Sequence, residues 1–140
     1  MERTLAIFKP DCVQKKLCGA VLAQIEERGF RIVGLKMLQL TKAAAESFYI
    51  DHREKPFYKP LVEFMTEGPC VVSVLEKENA IEDYRQLMGP TDPGKAGNGT
   101  IRAAYGTDIQ RNVVHGSDSL QSARREIHFF FSDREMIGER

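Results

Sequence analysis

Four short β-prone runs alternate with stretches of helical periodicity, and this alternation constrains the fold more than any other feature of the chain. The predicted strands cover residues 4–8, 30–40, 70–75 and 112–115. In the segments between and after them, apolar residues recur three and four positions apart, which is typical of helices that pack on a core. The predicted helices run from the turn at 9–11 to residue 28, and then over 42–49, 57–65, 80–88 and 120–130. The order is therefore β-α-β-α-α-β-α-loop-β-α.

This order contains two βαβ halves, which favours a ferredoxin-like α+β sandwich. We expect a four-stranded antiparallel sheet with helices packed on one face of it. A chain of 140 residues fits one substantial core, so residues 1–140 are expected to form a single domain. Two helix starts carry local signals. Thr41 is a good N-cap residue, and Asn79 with Glu82 three positions later resembles a capping box.

The segment 89–112 lacks this periodicity and contains five glycines and two prolines. A loop of that length inside a compact domain is usually either functional or disordered. Ile101 and Ile109 can anchor it, which favours an ordered, functional loop before the last strand. The loop also carries Thr91, Arg102 and Arg111.

One histidine stands at the junction of the last strand and the last helix, within the sequence NVVHGSDS (112–119). The small polar residues suit a helix start, and the open amides of a helix N-terminus bind anions. Histidine is largely neutral at pH 7, so a ring nitrogen of His115 can attack phosphorus without a separate base. The alternative is a structural histidine at the end of a strand.

Four cationic side chains favour phosphoryl chemistry over that alternative. Lys9, Arg85, Arg102 and Arg111 lie at predicted element ends or in the long loop. Cations stabilise the transition state of phosphoryl transfer, which depends chiefly on positioning and charge. For Arg111 a solvated surface charge is equally consistent with the sequence. Glu126, roughly two to three turns into the last helix, can orient the imidazole or remain an exposed helix carboxylate.

Hydroxyl and aromatic side chains complete the set of candidates. Tyr49 and Thr91 offer hydroxyls to phosphate oxygens, although Tyr49 also suits the core face of its helix. Phe57 can stack on a base or pack in the core. His52 and His128 are not accompanied by candidate cations as His115 is, and both are predicted to lie at the surface. The sequence contains neither a P-loop nor a dinucleotide-binding fingerprint, which disfavours ordinary P-loop kinase and Rossmann chemistry.

The charge balance limits the classes of binding partner that are expected, and the cysteines indicate the cellular compartment. Twenty basic and twenty acidic residues give a formal net charge of zero, so no global field attracts nucleic acid or an anionic membrane. Cys12, Cys18 and Cys70 lack metal-ligand spacing and are predicted to be free thiols in a reducing compartment. With no apolar N-terminal h-region and no segment long enough to span a bilayer, a cytoplasmic protein is expected.

The segment 112–118 resembles the active-site signature of nucleoside diphosphate kinases. Further motifs similar to that family follow in the same order along nearly the whole chain, at 2–4, 8–11, 29–36, 55–57, 61–64, 68–69, 91–93 and 99–102. The resemblance implies a ping-pong enzyme with broad base and sugar specificity. A nucleoside triphosphate phosphorylates a histidine, and a nucleoside diphosphate then accepts the phosphoryl group. The alternative is a non-catalytic module on the same fold that binds nucleic acid or protein.

The resemblance also implies a role for each site residue. His115 corresponds to the nucleophile, phosphorylated on its pros nitrogen, and Glu126 corresponds to the residue that orients it. The implied nucleotide-binding residues are Arg85, Arg102, Thr91 and Tyr49 for the phosphates, Lys9 and Asn112 for the ribose, and Phe57 and Ile109 for the base. Lys9 also reaches the transferring phosphate, so it counts among the catalytic candidates.

The implied cofactor is Mg²⁺, which rides on the nucleotide phosphates, so no metal ligand is expected from the protein. Family members form tetramers and hexamers, so a homo-oligomer is expected, with no requirement for nucleic acid or a membrane. The chain departs from the family pattern at two places. Ala103-Ala104 stand where members often carry Gly-Asp, and Pro60 replaces a common glycine.

Overall fold

One four-stranded antiparallel sheet forms the centre of the computed structural model, which describes residues 1–138. The strands are β1 (Glu2–Phe8), β2 (Arg31–Leu38), β3 (Cys70–Lys77) and β4 (Val114–Gly116). Their spatial order is β2-β3-β1-β4, with β1 and β3 in the middle. This arrangement confirms the predicted ferredoxin-like α+β fold.

The described residues form seven helices, two more than were predicted. They are α1 (Pro10–Gln14), α2 (Cys18–Glu27), α3 (Lys42–Phe48), α4 (Tyr58–Met65), α5 (Ala80–Met88), α6 (Ile101–Tyr105) and α7 (Leu120–Phe130). Short 3₁₀ turns cover Ile50–His52, Pro93–Lys95 and Asp133–Glu135. Within residues 1–138 no helix has the length and apolarity needed to cross a bilayer.

Helices cover both faces of the sheet, so the expectation of helices on one face is wrong. Side chains alternate between the two faces of a strand. From β1, Leu5 and Ile7 pack with α3, α4 and α7, whereas Ala6 and Phe8 pack with α1, α2, α5 and α6. All four side chains are fully buried, and full burial of a Leu, Ile or Phe side chain contributes about 1.5–3 kcal/mol. The central strand therefore belongs to two cores at once.

The segment predicted as one helix up to residue 28 is divided into α1 and α2. Lys16 adopts a φ of 60°, and the amide of Leu17 donates to the carbonyl of Cys12 at 3.0 Å, which ends α1. The apolar stripe that suggested the helix starts only at Leu17. The residues before it belong to a separate turn of helix that begins at Pro10.

The predicted capping box at Asn79 is also wrong. Asn79 has a φ of 54° and its side chain caps no amide. Instead, the Glu2 carboxylate from β1 accepts a hydrogen bond from the amide of Ile81 at 2.9 Å. A residue 79 positions away thus takes the place of the local cap. The cap predicted at Thr41 is confirmed, since its hydroxyl accepts from the amide of Ala44 at 3.1 Å.

The long loop is ordered and contains α6, which its sequence pattern did not reveal. The hydroxyl of Thr100 caps α6 by accepting from the amide of Ala103, and Ile101 is fully buried. This short helix fixes Arg102 against the sheet, because Arg102 donates to the carbonyl of Val114 in β4. The loop therefore contributes to the edge of the sheet where β4 lies.

Candidate active site

His115 lies on β4 opposite Ile7, and its ring is held by a buried carboxylate. Its Nε2 lies 2.9 Å from Oε1 of Glu126, which comes from α7. Ser117 Oγ donates to the same carboxylate oxygen at 2.8 Å and accepts from the amide of Leu5 at 3.1 Å. An ionised carboxylate only accepts hydrogen bonds, so Nε2 carries the ring hydrogen. Nδ1 then keeps its lone pair free for another atom.

A cavity of about 500 Å³ opens at this ring and is lined by His115, Glu126, Tyr49, Ser119 and Arg125 among others. Tyr49 ends α3 and is buried, and its hydroxyl has no hydrogen-bond partner within the described residues. Burial raises the pKa of Tyr49, chiefly by desolvation, so the phenol keeps its proton. Its hydroxyl is therefore an unused donor on a residue that lines the same cavity as His115.

A second cavity of about 320 Å³ lies between α4 and the long loop. Its rim carries two exposed apolar side chains, Phe57 at 49% and Ile109 at 63% exposure. At its base, Lys9 Nζ donates to Asn112 Oδ1 at 2.8 Å. The Asn112 amide group donates to the carbonyls of Thr91 and Ile109 at 3.0 and 2.9 Å. One buried side chain thus joins the lysine to both ends of the loop.

The cations around these cavities are held by neutral groups. Arg102 donates to the carbonyls of Gly89 and Val114 at 2.9 and 2.8 Å, and it lines a third cavity of about 490 Å³ together with Arg85 and Thr91. Within residues 1–138 neither arginine forms an ion pair, and the same holds for Lys9. Burial and the charge of Arg102 lower the pKa of Lys9 to about 8.

Most of the predicted residues therefore line these three cavities. Two of the cavities share Thr91 and Arg102, and Arg102 is bound to Val114, which precedes His115 on β4. Arg111 is the exception, because it pairs with Glu67 at 2.9 Å and stacks over Phe64. His52 and His128 are exposed, as predicted, although His52 also lines the cavity at His115.

Asp11 and Ser117 were not predicted from the sequence as site residues. Both are buried and bound to the segment around His115, Asp11 through the amide of Val113 and Ser117 through Glu126. The signal that was present is proximity in sequence. Asp11 follows a candidate lysine by two positions, and Ser117 follows the histidine by two.

Comparison with known proteins identifies the family. Residues 2–136 match the family model described as nucleoside diphosphate kinase. The chain belongs to this family. It is 55% identical to the nucleoside diphosphate kinase of Chlorobium limicola over 137 residues, which cover 98% of each chain. It is equally similar to that of a Geobacter species, covering 98% of this chain and 100% of the relative.

Solved structures of nucleoside diphosphate kinases have the same fold. The enzyme from Aquifex aeolicus superposes with a TM-score of 0.95 at 47% identity, covering 97% of this chain and 99% of that one. The enzyme from Halobacterium salinarum, solved in complex with CDP, superposes with a TM-score of 0.95 at 40% identity, covering 99% and 93%.

Membership of this kinase family favours an enzyme over the non-catalytic binding module, and it implies nucleotide substrates and a divalent metal. Within the described residues, no group of three or more His, Cys, Asp or Glu side chains is placed to hold a metal ion.

Proposed function

We propose that this protein is a nucleoside diphosphate kinase that transfers the γ-phosphate of a nucleoside triphosphate, typically ATP, to a nucleoside diphosphate through a phosphohistidine on His115. One observation carries the proposal. The Glu126 carboxylate binds Nε2 of His115 at 2.9 Å, so the free lone pair of the ring lies on Nδ1. The cations that line the other two cavities, Lys9, Arg85 and Arg102, form no ion pair within residues 1–138.

In the first half-reaction, the lone pair of Nδ1 attacks the γ-phosphorus and forms an N–P bond. The bond from that phosphorus to the β–γ bridging oxygen breaks, and the nucleoside diphosphate leaves with its electron pair. The ring becomes cationic as the N–P bond forms, and the Glu126 carboxylate stabilises this charge through Nε2. In the second half-reaction, a terminal oxygen of another nucleoside diphosphate attacks the phosphorus and forms an O–P bond. The N–P bond breaks, and its electron pair returns to Nδ1, which restores the neutral imidazole.

The remaining site residues bind the nucleotide. Arg85, Arg102 and the hydroxyls of Thr91 and Tyr49 contact the phosphates; Lys9 and Asn112 contact the ribose; and Phe57 and Ile109 enclose the base. Lys9 also contacts the transferring phosphoryl group. The exposed rim of Phe57 and Ile109 supports this arrangement, because stacking between apolar surfaces tolerates any base. Broad nucleotide specificity follows.

The metal is proposed to be Mg²⁺ that arrives as part of the nucleotide. The residues fit this, because the cavity that contains Arg85 and Arg102 also carries the hydroxyls of Thr91 and Thr100, and Mg²⁺ prefers phosphate oxygens and water to a protein cage. Held by the nucleotide, the ion would neutralise charge on the phosphate oxygens. We also infer a cytoplasmic homo-oligomer, a tetramer or a hexamer, that requires no nucleic acid. The exposed Leu35 and Met37 on edge strand β2 support self-association.

Two assays on the same sample test the function. Incubation with ATP and Mg²⁺ is expected to give an acid-labile, base-stable phosphoprotein, and addition of GDP is expected to release the label as GTP. His115→Ala should abolish both, whereas His128→Ala, an exposed histidine on α7, should leave both intact. Label transfer by His115→Ala refutes the assignment. Salt-dependent binding to single-stranded nucleic acid without phosphate exchange supports a binding module instead.

A further inference from the structure

Val113, two residues before His115, has a backbone conformation that its residue type rarely adopts. It is β-branched and fully buried, and its φ is 65°. The amide of Val114 donates to the carbonyl of Asn112 at 2.8 Å and closes a three-residue turn around it. For a β-branched residue such a conformation costs about 1–3 kcal/mol and persists only when its surroundings enforce it.

The segment 9–11 enforces this turn from both sides. The backbone amide of Lys9 donates to the carbonyl of Val113 at 2.8 Å. The amide of Val113 donates to Oδ2 of Asp11 at 3.1 Å. Both backbone groups of the strained residue are therefore bound by residues next to the start of α1.

Asp11 makes this contact with a carboxylate that is buried, which is unusual for an acidic side chain. Its side chain is 2% exposed, and Oδ1 has no hydrogen-bond partner within the described residues. Burial of a carboxylate is costly, and desolvation raises the pKa of Asp11 although Lys9 opposes that shift. The Oδ2 atom of this buried group accepts its hydrogen bond from the amide of the strained valine.

The turn separates two cavities. Asn112, before Val113, faces the cavity that contains Lys9, and His115, after it, lines the cavity of Glu126. If the turn relaxes to an extended conformation, the chain changes direction between these two side chains. Their relative placement then changes even though each keeps its own partner.

We propose that Asp11 is a positioning residue. It holds the strained turn at Val113 so that Asn112 and His115 contact the same bound nucleotide. The proposal rests on the proposed function for the roles of those two side chains. Asp11 itself touches neither the nucleotide nor the phosphorus, and it acts through the backbone.

The test combines substitutions at both ends of the hydrogen bond. Asp11→Leu keeps a side chain of similar size but removes the acceptor. It is expected to slow phosphorylation of His115 by ATP about 10- to 100-fold, since small misplacements of reacting groups have effects of this size. Asp11→Asn keeps an acceptor oxygen and should remain within about tenfold of the wild type. The rates are measured in single turnovers, well below the melting temperature of each variant.

Rescue by glycine separates positioning from general stability. Glycine adopts positive φ without strain, so the double variant Asp11→Leu/Val113→Gly should react faster than Asp11→Leu. We expect it to recover at least about a third of the difference in log rate between the wild type and Asp11→Leu. Val113→Ala removes the methyl groups but keeps the Cβ, so in the same background it should restore less. If Asp11 is merely structural, the glycine adds a cavity and lowers the rate further. If Asp11→Leu does not fold, Asp11→Ala replaces it with the same expectations.

A measurement independent of activity completes the test. Hydrogen exchange of the Val113 amide should be slow in the wild type and faster in Asp11→Leu. An absence of phosphohistidine in the wild type refutes the proposed function but leaves this exchange result intact. The positioning role is overturned by a wild-type rate in Asp11→Leu, by unchanged exchange, or by a loss of rate that glycine does not relieve.

Discussion

Replacement of Glu126 by glutamine isolates the contribution of one charge to the chemistry of His115. The carboxylate oxygen Oε1 receives hydrogen bonds from His115 Nε2 at 2.9 Å and from Ser117 Oγ at 2.8 Å. Glutamine keeps the size of the side chain and an acceptor oxygen, but the bond to the imidazole becomes a neutral one. A hydrogen bond to a charged group contributes about 1.5–3 kcal/mol and a neutral one about 0.5–1.5.

The difference, about 1–2 kcal/mol, corresponds to a rate of phosphorylation about 5- to 30-fold lower. It acts on the transition state because the ring gains positive charge as the N–P bond forms. If the amide rotates, its NH₂ group donates to Nε2 and favours the tautomer with hydrogen on Nδ1. That tautomer has no lone pair at the attacking atom, so rotation deepens the loss.

Rapid-quench measurement of phosphohistidine formation from ATP checks this value. Glu27→Gln, an exposed carboxylate at the end of α2, is the matched control and should react at the wild-type rate. ³¹P NMR of the denatured phosphoprotein distinguishes the two ring positions, and phosphate on Nδ1 is expected. A Glu126→Gln rate within twofold of the wild type, or phosphate on Nε2, would refute the reasoning.

Three further substitutions test packing, charge and base stacking. A Cβ at Gly116 meets the ring of Tyr84 at 2.7 Å, so Gly116→Ala should destabilise by about 1–3 kcal/mol and lower the melting temperature by about 3–10 °C. Because the pKa of Lys9 is lowered to about 8, its charge is present below that pH and lost above it, so kcat/KM for ATP should fall about tenfold from pH 7 to 9. Lys9→Gln should be slow and lack this limb. Phe57→Ala should raise KM about 5- to 10-fold for purine and pyrimidine nucleotides alike, with a smaller change in kcat.

Each of these predictions has a matched control. Gly19→Ala, with no atom within 4 Å of the added Cβ, should not lower the melting temperature, and equal losses at both glycines contradict the packing argument. Lys42→Gln on the exposed surface of α3 should keep the alkaline limb. A level profile to pH 9 in the wild type contradicts the assignment of that limb to Lys9. Phe129→Ala should leave KM unchanged, and a Phe57→Ala effect on kcat alone contradicts stacking.

The order of elements was predictable because apolar spacing reports which side of a strand or helix is buried. What the spacing could not report was long-range capping. Asn79 and Glu82 gave a local signal for the start of α5, but Glu2 supplies the cap from a strand 79 positions away. The helices on the second face of the sheet were missed for a related reason. The fully apolar run of β1 indicated burial on both sides, but nothing local assigned helices to each side.

The site was predictable where its chemistry follows from residue type and place. A histidine before a helix start, cations at element ends, and candidate hydroxyl and aromatic side chains are visible in the sequence. The resemblance to a family added Asn112 and the role of Ile109 at the base. Asp11 and Ser117 were not predicted because their importance is geometric: each binds a backbone amide more than a hundred positions away, that of Val113 or Leu5. Arg111 is the opposite case: the sequence made it a candidate, but its guanidinium forms an ion pair with Glu67.

The distribution of ion pairs explains how a chain of zero net charge can bind a polyanion. Six cations of the described chain form ion pairs with carboxylates, namely Arg3, Arg28, Arg31, Lys36, Lys77 and Arg111. Lys9 and Arg102 are instead held by an amide oxygen and by backbone carbonyls, which orient a cation without cancelling its charge. Since these groups are buried, their charge is poorly hydrated, and within residues 1–138 neither forms a direct ion pair with a carboxylate. Under the proposed function, the phosphates of the nucleotide act as the counter-ion of these cations, so we expect the site to favour the most highly charged end of its ligand.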